Sequence, residues 1–403
     1  MKALKLLVSL SLLSSIALFG DEKKVVDEEY ISKYKQKEFL YDYKKNELES
    51  AKLRDAWIAP IDLSYSITRS NRLYSQEQQD EIAAIKINQP IFQSGGIYYG
   101  IKYADASRLY AECSIDVAKR KMIKDVISLL MQIRQTALKE KKQKLLIENA
   151  EINLEQKQQE YLSGRLDSGF LDNAIIQKNS VTLALYDIQN IKEKLISRFR
   201  VLSDLDYKKA SIPHLELLSA EEFLKHNRLL EQTRAQLQKS RYAKDVFIAK
   251  YLPRVNLTAS YNWTKNKTKS FHAENDYYSY GVRVNLPIDI NSLRDIESAR
   301  VDYLKSSVLK RDKIRELRAL FREVMQNIKN LTRKIALSNE NKKLYRGLLQ
   351  DTEELYRAGY KTSYDVSLLK NSLEIQNIDT KIYEIDKQLE LLRLYEMYVN
   401  SGE

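Results

Sequence analysis

The 403-residue sequence carries only 10 Gly and 5 Pro, with 43% hydrophobic and 30% charged residues. Soluble proteins average about 7% Gly and about 5% Pro, so a chain this poor in turn-formers excludes loop-rich α/β enzymes, disulfide scaffolds and Pro/Gly-rich disorder, and predicts long solvated helices. The formal charge of +12 is spread through mixed-sign stretches such as Lys139-Glu140-Lys141-Lys142, which reads as solvated helix faces and argues against nucleic acid as a partner.

Residues 1–20 read as a secretory signal peptide. Lys2 and Lys5 precede an apolar run from Leu6 to Phe19, and Gly20 stands before Asp21-Glu22. Cleavage is expected after Gly20, with Ala17 as the alternative. The run is too short for a comfortable transmembrane helix. Cys113 is the only cysteine, so no intrachain disulfide forms, and no cysteine closes the signal for lipid attachment.

The rest of the chain reads as two repeats, 21–208 and 209–403. Pro60 answers Pro253, Pro90 answers Pro287 and Gly164 answers Gly359, each pair about 195 residues apart. The surrounding text matches too: Ile85-Lys86-Ile87-Asn88-Gln89-Pro90-Ile91 pairs with Val282-Arg283-Val284-Asn285-Leu286-Pro287-Ile288. In chain order, the first repeat has a helix over 27–56, strands near 58–68 and 82–91, and a long helix over 94–162. A turn follows near 164. The second repeat has a helix over 216–250, strands near 254–264 and 277–288, a long helix over 291–357 and a turn near 359. The strands are marked by period-2 alternation, such as Val255, Leu257, Ala259, Tyr261 and Trp263 against Asn256, Thr258, Ser260 and Asn262. The links 69–81 and 265–276 are polar and read as loops. Helical stripes such as Val181, Ala184, Ile188, Ile191, Leu195, Phe199 and Leu202 follow near-heptad spacing.

Length arithmetic adds an expectation about stacking. The return from the first turn comes in two pieces, 165–207 and 216–250, broken near Pro213. The second return, 362–398, is half as long, and 27–56 supplies the missing half. Each long helix is therefore expected beside a stacked pair, one pair being made from the two ends of the chain. The four strands fall short of the smallest transmembrane barrels, which have about eight, and an open edge in lipid leaves backbone groups unpaired. Either the sheet is soluble, or several chains close one barrel together. The signal and the apolar strand faces favour assembly.

This order of strand pair, helical hairpin, strand pair and helical hairpin resembles the TolC family of outer-membrane efflux proteins. The residues that carry the likeness are the strand starts Ala59-Pro60 and Tyr251-Leu252-Pro253-Arg254-Val255. With them go the strand exits Gln89-Pro90-Ile91-Phe92 and Leu286-Pro287-Ile288, and the turns at Tyr161/Gly164 and Tyr356/Gly359. The resemblance covers nearly all of residues 27–400. It implies a mainly α fold with β: a homotrimer whose strands form one twelve-stranded β-barrel that continues into an α-helical coiled-coil periplasmic tunnel. It further implies a location in the outer membrane, extending into the periplasm and surrounded by outer-membrane lipid. The function implied is a passive exit duct for tripartite efflux or type I secretion. Its partners would be a periplasmic adaptor (membrane fusion) protein and an inner-membrane pump of RND, ABC or MFS type, without catalysis or cofactor. The stretch before Pro60 is short compared with the equivalent stretch before Pro253, so a trimmed N-terminal helix is expected. The alternative is a soluble exported coiled-coil scaffold or adaptor whose strands form a small sandwich.

Three groups of candidate residues follow. The tips, Tyr161, Gly164 and Ser168 with Tyr356, Gly359 and Ser363, are candidates for adaptor docking or are plain helix caps. In the family, acidic residues just past the second turn narrow the tunnel. Asp365 matches the first such position, Leu368 stands at the next, and Phe170 is the equivalent in the first repeat, with Asp167 and Asp172 nearby. Asp365 reads equally as a helix N-terminal acid. Tyr65, Tyr261, Trp263, Tyr277, Tyr278 and Tyr280 form either a membrane aromatic girdle or ordinary aromatic packing on a sheet. His214, His226 and His272 are scattered without metal-ligand spacing, and Gly95-Gly96 lacks the phosphate-loop pattern.

Overall fold

Two proline-free helices set the length of the molecule. Helix α2 (Gly96–Leu162) has 67 residues and α6 (Ser292–Arg357) has 66, and at about 1.5 Å per residue each runs about 100 Å. In this computed structural model residues 28–71, 78–267 and 272–399 are described; the expected signal, 1–20, lies outside them. Around the long helices stand α1 (Lys33–Arg54), α3 (Ser168–Leu202), α4 (Ala220–Lys225), α5 (Arg228–Lys250) and α7 (Ser363–Tyr395). No helix among the described residues is long and apolar enough to cross a membrane.

The helices form a layer four columns wide. Helices α1 and α3 both pack on α2, α5 and α7 both pack between α2 and α6, and α6 is the far edge. Each shared column is a stack of two helices joined end to end by backbone hydrogen bonds. Ser32 N–H donates to the Leu202 carbonyl at 2.8 Å, which sets α1 on the end of α3. Arg228 N–H donates to the Met397 carbonyl at 2.8 Å and Val399 N–H to the His226 carbonyl at 2.9 Å, which sets α5 on the end of α7. The stacks are therefore exchanged relative to the sequence expectation. Helix α3 continues into α1 rather than α5, and the segment 203–219 crosses to the other column. That segment is long enough when extended to pass across α2, about 20 Å at about 10 Å per helix spacing.

The core lies at this mid-level crossing. Ile123, Val126, Ile127 and Leu130 of α2 meet Phe199 of α3, Leu215 and Leu218 of the crossing segment, Phe223 of α4, Val324 of α6 and Leu391, Leu392 and Leu394 of α7. Phe223 packs against Phe321 with ring centroids 5.7 Å apart. Asp116 of α2 accepts from both Tyr43 of α1 and Arg228 of α5, and Arg228 also bonds Glu231 at 2.6 Å, so one carboxylate ties three helices.

The four strands form one antiparallel sheet in the order β1-β2-β3-β4: Ile61–Ser70, Gln78–Phe92, Arg254–Lys267 and His272–Asn285. The ladder runs on through much of the polar stretches expected as loops, to Ser70↔Gln78 and Lys267↔His272, because backbone pairing does not require apolar side chains. Strand β4 ends at Asn285, before the expected Ile288. Its partner β3 begins at Arg254, and Pro287 has no N–H to give. A bulge at Pro90/Phe92 releases β2 into α2. There Ser94 and Gly95 take positive φ (47° and 89°), and a Cβ on Gly96 would come within 3.3 Å of the Ala249 Cβ.

Candidate functional site

The two hairpin tips are built alike. At the first, Gly164 (φ 72°) donates to Tyr161 at 2.9 Å and Arg165 donates to Glu160 at 2.9 Å. At the second, Gly359 (φ 80°) donates to Tyr356 at 3.0 Å and Tyr360 donates to Leu355 at 2.9 Å. Both are Schellman caps, in which a left-handed residue lets the following amide reach back to an orphan carbonyl. A Cβ at either glycine meets nothing within 4 Å, so the tips are bare and the constraint is conformational. Tyr161 and Tyr356 are exposed beside them. Ser168 and Ser363 each open the returning helix, one residue after the N-caps Asp167 and Thr362.

Asp365 sits in the first turn of α7 as half of a capping box. Its Oδ2 accepts from Thr362 N–H at 2.9 Å and from Thr362 Oγ1 at 2.9 Å, while Thr362 Oγ1 accepts from Asp365 N–H at 3.3 Å. The Thr362 amide, and then its hydroxyl, hold the Asp365 carboxyl below the usual aspartate range. Leu368 lies one turn further along α7 and is half-buried, whereas Phe170 in α3 is exposed. The cap half of the Asp365 reading is thus visible in a single chain; a ring needs further copies.

The sheet register sorts the aromatic residues by face. On one face, successive rows across the four strands read Ile61–Ile87–Ala259–Tyr280, then Leu63–Ile85–Tyr261–Tyr278, then Tyr65–Ala83–Trp263–Asp276. The next row outward, Ile67–Glu81–Lys265–Glu274, is mostly charged. Polar ends of the aromatics point outward toward these carboxylates. Trp263 Nε1 donates to Glu274 at 2.8 Å, Tyr261 to Asp276 at 2.9 Å and Tyr65 to Glu81 at 3.3 Å. Such residues bury a ring and keep a wet tip, as aromatic residues do at a bilayer boundary. From Val255 to Trp263 the apolar rows climb about 20 Å at the usual rise and tilt, close to the about 25 Å of a barrel's apolar band.

Tyr277 departs from the group named from sequence. It pairs with Asn262 and shares the opposite, polar face with Ser64 and Ala84, because successive strand residues point to opposite sides. Among the described residues no helix packs extensively on the sheet, and Leu63 and Tyr280 are 76% and 80% exposed in the single chain. Several exposed residues escaped the sequence reading. Trp57, Phe92 and Tyr98 stand at the opposite, helical end of the sheet. Along the helical layer, Tyr34, Tyr41 and Leu48 of α1 and Ile176, Leu183 and Val201 of α3 are exposed on one edge column. Leu304, Val308, Leu337 and Leu344 of α6 are exposed on the other. Their near-heptad spacing was the available signal.

The sequence model of the family described as outer membrane efflux protein matches residues 220–397. No curated protein matches the sequence. Solved structures share the fold over almost the whole chain. The outer membrane protein VceC of Vibrio cholerae superposes with a TM-score of 0.69 at 16% identity, covering 90% of this chain and 92% of that one. The Campylobacter jejuni CmeC outer membrane channel gives 0.72 at 14% identity, with 94% and 86% covered. The Neisseria gonorrhoeae MtrE outer membrane channel, in its open state, gives 0.62 at 12% identity, with 89% and 84% covered.

Proposed function

Since residues 220–397 match the outer membrane efflux protein family and the chain has the fold of those channels, we propose that three copies form a passive exit duct running from the outer membrane into the periplasm. The observation that carries the assembly is a pair of matched open edges. Among the described residues strands β1 and β4 each lack a neighbour on one side, and their opposite directions would let β4 of one copy pair antiparallel with β1 of the next. At the same flanks the helical layer ends in apolar stripes, on α1 and α3 at one side and on α6 at the other. Two different surfaces that join head to tail make a closed ring when the rotation closes, and the barrel then has no edge left in lipid.

In this duct the face carrying Tyr65, Tyr261, Trp263, Tyr278 and Tyr280 meets lipid, and Tyr277 lies with the polar residues along the lumen. Cargo crosses by diffusion through a hydrated bore, so the chain supplies shape and charge rather than chemistry. Energy comes from an inner-membrane pump of RND, ABC or MFS type, and a periplasmic adaptor engages the bare tips around Tyr161, Gly164 and Ser168 and around Tyr356, Gly359 and Ser363. Asp365, followed by Leu368 and with Phe170 at the equivalent position of the first repeat, narrows the periplasmic mouth.

The test is fractionation and reconstitution. The protein is expected in the membrane fraction, extracted by detergent as a cross-linkable trimer that conducts ions in planar bilayers. Recovery without detergent as a non-conducting monomer would support the soluble exported scaffold and sink the duct.

A further inference from the structure

At mid-length, beneath the segment that crosses from α3 to α4, a cavity of about 830 Å³ opens between α2, α6 and α7. Its floor is apolar: Met131 and Leu138 from α2, Ile335 from α6 and Ile385 from α7, with Ile212 of the crossing segment above. The crossing segment is strapped over the cavity at two points. Arg134 donates to the Ala210 carbonyl, and the Gln388 side chain accepts from Leu215 N–H at 2.8 Å and donates to its carbonyl at 3.3 Å.

The rim is cationic beyond what the protein itself uses. Lys141 is held by Glu374 at 2.5 Å, and Lys381 acts on that carboxylate only through space; neither Lys381 nor Lys387 makes a hydrogen bond or ion pair among the described residues. Glu384 is the one carboxylate among the lining residues, which also include Arg134, Lys381, Lys387 and His214. The volume falls within the about 300–1,000 Å³ typical of small-molecule sites.

We propose that this cavity binds an anionic amphiphile, a single carboxylate on a medium-length alkyl chain. The chain covers the floor and the headgroup pairs with Lys381 and Lys387. A wholly apolar ligand would leave both ammonium groups unused, and a small inorganic anion would leave the floor wet. Because the roof belongs to the crossing segment and two lysines to α7, occupancy braces one against the other at the level where the helix stacks change partners.

The site uses only residues of the helical layer and its crossing segment, so its test does not depend on where the strands lie. The full chain in phosphatidylcholine nanodiscs is photolabelled with diazirine-bearing decanoate and mapped by peptide mass spectrometry. Label is expected on peptides carrying Leu138, Ile335 or Ile385. It should be lost with excess decanoate but not with its methyl ester, and lowered about tenfold in the Lys381→Gln/Lys387→Gln double variant. Ala137→Trp, a change at an exposed lining position, should block labelling by filling the space without touching the core. Label confined to the strands, unchanged in both variants, or competed equally by the methyl ester overturns the proposal. So does label displaced only by an acidic peptide, which would assign the cavity to a protein partner.

Discussion

Ser32 N–H reaches the Leu202 carbonyl at 2.8 Å, and Lys33 N–H reaches the Asp204 carboxylate at 2.9 Å, so the first helix starts where α3 stops. The two segments are far apart in sequence, and their junction fixes which helices share a column. A short bismaleimide should join the Ser32→Cys/Asp204→Cys double variant within one chain, giving a faster-migrating band on denaturing gels. The buried Cys113 does not interfere. If both introduced thiols react singly and no internal cross-link forms, the exchange of stacks is refuted.

That exchange marks the limit of what the sequence disclosed. Gly164 and Gly359 announced the tips because a left-handed cap leaves a compositional trace, and Pro60 and Pro253 announced the strand starts for a similar reason. A hydrophobic stripe such as Val181 to Leu202 declares which face is buried, not which helix covers it. Nothing local therefore distinguished α1 from α5 as the continuation of α3. Tyr277 was grouped by proximity with Tyr278, whereas parity along the strand assigns the two to opposite faces. The apolar edge of Tyr34, Tyr41 and Leu48 was legible at heptad spacing, but it only gains meaning once the fold leaves it uncovered.

Parity gives a direct test of sheet orientation. The sequence holds two tryptophans, and with Trp57→Phe the remaining fluorescence reports Trp263 alone. Brominated lipid should quench it strongly in proteoliposomes. A Tyr277→Trp probe, with both native tryptophans replaced by Phe, should resist brominated lipid and respond to aqueous acrylamide. The reverse pattern would turn the sheet inside out and put the aromatic rows in the lumen.

The helical edges predict how assembly fails. Leu183 of α3 and Leu344 of α6 are 63% and 62% exposed in the single chain, so a charge at either should shift monomer stability by no more than about 0.5 kcal/mol. Buried against a neighbouring copy, the same charge is left unpaired at a cost of several kcal/mol. Leu183→Glu or Leu344→Glu should therefore abolish trimers in cross-linking and light scattering while far-ultraviolet dichroism stays helical. Wild-type trimer yield in both variants would remove these stripes from the interface.

Bulk and backbone strain can be separated at the tips. Any L-residue at Gly359 takes on a left-handed φ costing about 1–2 kcal/mol, locally and in open space. Gly359→Ala adds that strain with little volume, and Gly359→Trp adds both. Trimer yield should hold in each, whereas export of a pump substrate should fall sharply only for Gly359→Trp, as expected where another helix packs on the tip. Equal losses would trace the effect to turn geometry, and unchanged export in both would count against docking there.

Asp365 caps α7, and in the proposed ring of three it would sit where charge controls passage. Because the Thr362 amide and hydroxyl favour its ionised form, its folded-state pKa is depressed. The capping contribution is therefore present above the unfolded value, about 3.9, and is lost as pH falls through the lower folded one. Cation selectivity in bilayers should accordingly stay flat from about pH 8 down to about pH 5 and decline only in stronger acid. Asp365→Asn keeps an oxygen to accept from Thr362 while removing the charge, so it should erase selectivity with the tip intact. Asp365→Ala should also loosen the first turn of α7, by about 0.5–2 kcal/mol on the scale of a lost cap. If Asp365→Asn conducts with wild-type selectivity across this range, the carboxylate is a cap and nothing more.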